Sequence, residues 1–325
     1  MHNNSIHEYF HGVQLAELIP AGQKLVVLKE DETLQEVVNQ LSTHHLLAAP
    51  VVDKQGKLVG MLSMLDIVQF IVASSPENVD FKNWQELEIS GRCINLQTVK
   101  HVMGFSARDQ YMPLKSNLPA TMAIELFAKG VHRAIVEEDV TTDKYIGTLS
   151  QTDILKRLAE HLHMGKMKQL GEQLVKDLGL GLAKPVTIDG SENVLHAMKE
   201  LAKANVSALP VVDHHGHLVG NFSASDLRGF YLDRIPHFEL TTRTFLEKYS
   251  PKSLVPFFVE LDGLKFVDLV KKLTHPEIHD VIHSQTVKVD HSMHRVWVVS
   301  DERKVVGVIT LTDIMKVIID HVEMD

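Results

Sequence analysis

Four times along this chain a hydroxyl residue, two residues and an aspartate stand where a helix should open. They are Ser63-Met64-Leu65-Asp66, Ser150-Gln151-Thr152-Asp153, Ser223-Ala224-Ser225-Asp226 and Thr310-Leu311-Thr312-Asp313. A short apolar run with a central glycine precedes each, as in Leu58-Val59-Gly60-Met61-Leu62 and Val305-Val306-Gly307-Val308-Ile309. Asp66 and Asp226 are 160 residues apart, and so are Asp153 and Asp313; the steps between neighbours are 87, 73 and 87. That alternation makes two pairs of repeats, the second replaying the first.

The words upstream complete the unit. Ala48 to Asp53 reads AAPVVD and Ala208 to Asp213 reads ALPVVD, while His132 to Val136 and His294 to Val299 open on the same His-Arg dipeptide. Their β-branched runs suit buried strands. Asp53-Lys54-Gln55-Gly56 and Asp213-His214-His215-Gly216 supply turns. Before them, Leu34, Val37, Val38 and Leu41 share one helical face, as do Val194, Ala197, Met198 and Leu201. Another short strand, Leu25–Leu28 or Pro185–Ile188, leads in. The unit is strand, helix, strand, strand, helix: an α/β fold in which one unit is too small to cover its own sheet, so pairing is expected. Residues 20–163 and 180–325 should form two similar pairs. The fourth unit is less regular, with a helix over Leu264 to Leu273 and then a long insertion before His294, an extra ribbon or loop that includes Thr286 to Val289.

The chain divides into an amino-terminal segment (1–19), repeat 1 (20–75), a connecting helical segment (76–105), repeat 2 (106–163), a linker (164–180), repeat 3 (181–235), a linker (236–253) and repeat 4 (254–325). Its formal net charge is −9, with no Lys/Arg-dense stripe, which argues against general nucleic-acid binding. The single cysteine, Cys93, excludes an intramolecular disulfide and suits a reducing compartment. Met1 to Phe10 lacks the pattern of a secretory signal, and no apolar run approaches the roughly 20 residues of a membrane span. A cytoplasmic protein, with access to the nucleus, is the expectation. The 20 histidines are scattered, with no HExxH or paired CxxC, so no metal site is expected.

These words resemble the cystathionine-β-synthase (CBS) motif. Four in tandem resemble the γ subunit of AMP-activated protein kinase and related four-CBS regulators of fungi and plants. Glu17-Leu18-Ile19-Pro20, Val206 to Asp213 and His294 to Val299 carry the likeness. The resemblance implies CBS pairs (Bateman modules) in a flat, disc-like arrangement. It also implies adenine nucleotides (AMP, ADP or ATP) as ligands, with no covalent cofactor, and the catalytic and scaffold subunits of a protein kinase as partners.

The Ser/Thr-x-x-Asp word has a purely structural use as a capping box, worth about 1 kcal/mol. A carboxylate can also accept two hydrogen bonds from a ribose diol. The resemblance assigns that role to these aspartates and phosphate binding to the His-Arg pairs, for which arginine's fork of donors is suited. It pairs Asp66 with His132 and Arg133, Lys129 nearby, and Asp226 with His294 and Arg295. A third set is Asp313 with Thr310, Thr312 and Ser207. Departures are Leu47 where the family usually has arginine, Ala204-Asn205 where it has His-Arg, and Asp153 where it usually lacks the acid. No nucleophile motif, kinase loop, P-loop or metal triad is left over, so catalysis is not expected. The alternative is a CBS scaffold or phosphatase regulator with vestigial nucleotide sites.

Overall fold

A computed structural model describes residues 6–23, 25–75, 83–108, 112–138, 144–228, 232–275, 277–280, 285–288 and 293–323. Each repeat builds its own three-stranded sheet. In repeat 1, Leu28–Lys29 runs parallel to Ala48–Val52, which runs antiparallel to Leu58–Ser63. Repeat 2 uses Pro113–Lys115, Arg133–Glu137 and Tyr145–Ser150. Repeat 3 uses Ile188–Asp189, Ala208–Val212 and Leu218–Ser223, and repeat 4 Phe258–Val259, Arg295–Val299 and Val305–Thr310. The parallel pair in each needs a crossover, and an amphipathic helix supplies it: Leu34–Thr43, Ala120–Ala128, Val194–Ala204 or Phe266–Thr274. All four hairpins carry a register irregularity at one equivalent place, Val51/Val52, Val136/Glu137, Val211/Val212 and Val298/Val299. A bulge repeated four times twists each sheet alike.

The hairpin turns follow from their aspartates. Asp53 Oδ1 accepts from the amides of Gln55 and Lys57, and Asp213 Oδ1 from those of His215 and His217. Gly56 and Gly216 hold the positive φ, +81° and +84°, that closes each turn. The leading strands are shorter than the sequence suggests, two residues in repeats 1, 3 and 4. The insertion in repeat 4 contains an antiparallel ribbon, Glu277–Asp280 with Gln285–Lys288; Val289 lies outside the described residues.

The closing helices differ. Met64–Ser74, Gln151–His161 and Leu311–Glu323 are full α-helices. After Ser223 the chain makes only a 3₁₀ turn, Ala224–Leu227, and a second 3₁₀ element, Leu232–Glu239, follows. Gly229 is a poor helix former, and Pro236 has no N–H to donate. The connecting segment holds helices Trp84–Asn95 and Val99–Val102.

The chain forms two compact units that interleave along the sequence. One comprises 1–25, 112–185 and 257–325, and so holds repeats 2 and 4; the other comprises 26–111 and 186–256, with repeats 1 and 3. Each contact-dense unit takes one repeat from the first half of the chain and one from the second. Each unit has its own core. Phe127, Leu155, Leu158, Leu269, Ile314 and Ile318 pack together in the first. Leu41, Ile67, Leu201, Phe222, Phe238 and Phe245 do so in the second. Helix faces, which carry the largest apolar side chains, decide this grouping. The amino-terminal helix Ile6–His11 buries Ile6 and Phe10 in the first core.

Candidate functional site

The four aspartates all cap their helices. Asp66 Oδ2 accepts from the amide (2.8 Å) and hydroxyl (2.6 Å) of Ser63. Asp153 does the same with Ser150, Asp226 with Ser223 and Asp313 with Thr310. One carboxylate oxygen in each repeat is therefore engaged. The other oxygen separates the repeats into two classes.

In repeats 1 and 3 it is engaged too. Asp66, 2% exposed, takes the Ser106 backbone N–H on Oδ1 at 2.8 Å. Asp226, 8% exposed, takes the Ser253 hydroxyl on Oδ1 at 2.5 Å. A carboxylate offers about four lone-pair positions; three are filled at Asp66, and Asp226 has the Ser250 hydroxyl beside it as well as Ser223 and Ser253. Burial pushes the Asp226 carboxyl above the usual carboxylate range, against the opposing pull of the Ser253 and Ser223 hydrogen bonds. Neither repeat has a basic residue at the start of its middle strand, where Leu47-Ala48 and Ser207-Ala208 stand in place of His-Arg.

In repeats 2 and 4 the second oxygen takes no hydrogen bond among the described residues. Asp153 and Asp313 are partly exposed. Lys316 Nζ stands 4.0 Å from Asp313 Oδ1. Here the middle strand starts with the His-Arg pair. Arg133 is the cross-strand partner of Ser150, and Arg295 of Thr310. Such partners share a face of the sheet. The carbonyls of His132 and His294 accept from the first helical amides, Gln151 and Leu311, at 3.2 Å each. Backbone pairing thus fixes each arginine beside the helix start that holds the aspartate. Arg133 is partly buried and has no ion-pair partner among the described residues. Lys129, exposed, ends the preceding helix.

Repeats 2 and 4 meet within their unit at these helix starts. Gln151 Nε2 donates to Thr312 Oγ1 at 2.9 Å, and to the carbonyls of Phe127 and Val131. Its counterpart in repeat 4 is Leu311, which cannot reciprocate. The equivalent hydroxyl, Thr152 Oγ1, is accordingly buried with no partner. Gln151, Thr152, Ser106 and Ser253 were not singled out from sequence; nothing in their local words marks them.

The three residue sets implied by resemblance each draw on both units. Asp66, Asp226 and Ser207 lie in the unit of repeats 1 and 3. Lys129, His132, Arg133, Asp153, His294, Arg295, Thr310, Thr312 and Asp313 lie in the other. The structure brings Arg133 to the helix start of Asp153, and Arg295 to that of Asp313. No group of three or more His, Cys, Asp or Glu among the described residues could hold a metal ion. Among those residues no helix is long and apolar enough to cross a membrane.

Four βαββα repeats, each with a carboxylate held at the end of its last strand by a Ser or Thr, define a class of repeat-built regulatory protein. The CBS domain family matches residues 19–73, 99–160, 175–233 and 280–320, and the chain belongs to that family. It is 25% identical over 95% of its length to the Arabidopsis thaliana SNF1-related protein kinase regulatory subunit gamma-like PV42a, covering 96% of that protein. It is 34% identical over 47% of its length to Protein SDS23 of Phaeosphaeria nodorum, of which it spans only 29%. Protein MJ1225 of Methanocaldococcus jannaschii shares the fold, with a TM-score of 0.68 at 18% identity, over 94% of this chain and 99% of that one. The chain is thus a tandem-CBS regulatory protein related to kinase γ subunits and to SDS23.

Proposed function

We propose that this protein senses adenine nucleotides (AMP, ADP or ATP) and modulates a partner protein kinase complex, with repeats 2 and 4 as its ligand-binding repeats. One observation carries the reading. Among the described residues, only in those two repeats does a partly exposed capping carboxylate share a strand end with an arginine. The carboxylate suits a ribose diol and the guanidinium a phosphate. The kinase partner rests on likeness to PV42a along almost the whole chain. Catalytic and scaffold subunits of a kinase are the expected partners, in the cytoplasm or nucleus. Ligand acts by binding one arrangement of the repeats better than another, and its effect is bounded by that difference.

Calorimetry with AMP, ADP, ATP and S-adenosylmethionine tests this. Arg133→Ala and Arg295→Ala should each weaken a phosphorylated ligand by about 1.5–3 kcal/mol at its own repeat. Absence of binding by any adenine nucleotide at millimolar concentration would overturn it. Affinity capture with mass spectrometry identifies the partner. A second reading, a scaffold or phosphatase regulator without nucleotide control, is favoured by the closure of Asp66 and Asp226 on their own chain. It forecasts partner capture unaffected by nucleotide.

A further inference from the structure

Each repeat has a glycine in its outermost strand, and a segment from elsewhere in the chain lies across it. A Cβ at Gly60 would run into Met103, and one at Gly307 into the Gly181 carbonyl. At Gly220 it would meet the Ser253 carbonyl at 3.2 Å. At Gly147, in repeat 2, it would meet Ile19 Cγ2 at 2.7 Å and Gln23 Oε1 at 3.0 Å. In repeat 2 the crossing segment also hydrogen-bonds the strand edge through a side chain. Gln23 Oε1 accepts from the Thr148 N–H at 2.8 Å, and Gln23 Nε2 donates to the Thr148 carbonyl at 3.0 Å.

That is a two-point pairing of a carboxamide with one residue's backbone. A carboxamide sets one donor beside one acceptor. Adenine does the same with its amino group and adjacent ring nitrogen, which is why glutamine and adenine pair bidentately. Whatever Gln23 satisfies at Thr148, a 6-aminopurine would satisfy equally. The rest of a nucleotide site lies on the same strand end. Ser150 is two residues on, about 7 Å along the strand, and holds Asp153. Arg133 stands opposite Ser150.

We infer that the Thr148 backbone is the base-reading group of repeat 2, and that Gln23 occupies it as a built-in competitor of the purine. Base, ribose and phosphate would then fall to Thr148, Asp153 and Arg133 in order. Repeat 2 binds its nucleotide only when the segment around Gln23 yields. The inference rests on the proposed nucleotide reading and adds a control to it.

The test is calorimetry of the full chain in an Arg295→Ala background, which weakens repeat 4. Gln23→Ala should tighten AMP about tenfold, the worth of releasing two ordinary hydrogen bonds. Gln23→Glu should do likewise, because a carboxylate has no donor for the Thr148 carbonyl. Ribose 5-phosphate, which lacks the base, should bind each form equally. Adding Arg133→Ala should weaken AMP in the parent chain and in both Gln23 variants alike, leaving the tenfold ratio in place. Unchanged AMP affinity in both folded Gln23 variants, with the wild-type chain still binding AMP, would overturn this inference alone. An equal gain for ribose 5-phosphate would also overturn it, by removing Gln23 from the base position. Failure of the wild-type chain and every variant to bind AMP would remove the nucleotide reading as well.

Discussion

At the scale of single residues, four aspartates in the same word do unequal work. Asp153 and Asp313 cap a helix and are partly exposed; Asp66 and Asp226 cap a helix and a 3₁₀ turn and also bind a distant part of the chain. Asp66→Ala should therefore cost about 2–4 kcal/mol, since it removes the cap and leaves the Ser106 N–H buried and unpaired. Asp153→Ala should cost about 1 kcal/mol. Urea denaturation of the two variants measures the difference, and equal losses would contradict the distinction. Asp226 adds a pH signature. Its carboxyl is raised in the folded state, so the native protein holds that proton more tightly than the unfolded chain. The contribution is fully present below the unfolded value, about 3.9, and is lost as pH rises through the folded value. Denaturation midpoints followed from pH 4 to 7 should decline less for Asp226→Asn than for the parent protein over this window. Parallel profiles would mean that Asp226 ionises as freely when folded as when unfolded.

At the scale of elements, the glycines of the outer strands have one purpose and different tolerances. Gly307 receives the Gly181 carbonyl, and that backbone is itself held at φ +80°. Gly60 receives the flexible Met103 side chain. Gly307→Ala should destabilise by about 3 kcal/mol or more, and Gly60→Ala by about 1 kcal/mol, because thioether carbons can swing aside and a fixed carbonyl cannot. Thermal unfolding of both variants separates the two cases. Repeat 3 shows the same dependence on context. Its Ser-x-x-Asp word matches the other three, yet only a 3₁₀ turn follows it. A cap starts a helix, but the chain after it must stay helical, and here Arg228 already turns to extended backbone.

At the scale of the molecule, two cores interleave along the chain, and a ligand held by repeats 2 and 4 would act on one of them. If repeats 2 and 4 bind nucleotide, saturation at about 100 times the dissociation constant should stabilise the native state by roughly 2.7 kcal/mol per site. Hydrogen exchange should show the added protection within 112–185 and 257–325 and little within 26–111 and 186–256. Protection spread evenly over both sets of residues would contradict that assignment.

Periodicity in the sequence determined the repeat, its strands and helices, the hairpin turns and the capping aspartates. All of these depend on residues within a few positions of one another, where local hydrogen bonds and the alternation of apolar side chains suffice. The family membership was legible for the same reason, since the words Ala-Leu-Pro-Val-Val-Asp and His-Arg-Val-Trp-Val-Val are local. Tertiary structure alone decided which repeats share a core, because that depends on how helix faces far apart in the chain fit together. It alone decided which carboxylates stay open, because Ser106 lies 40 residues from Asp66 and Ser253 lies 27 from Asp226. The pairing of Gln23 with Thr148, 125 residues apart, belongs to the same class. A hydrogen bond over such a separation leaves no periodic trace, so one sequence word covers both an open carboxylate and a closed one.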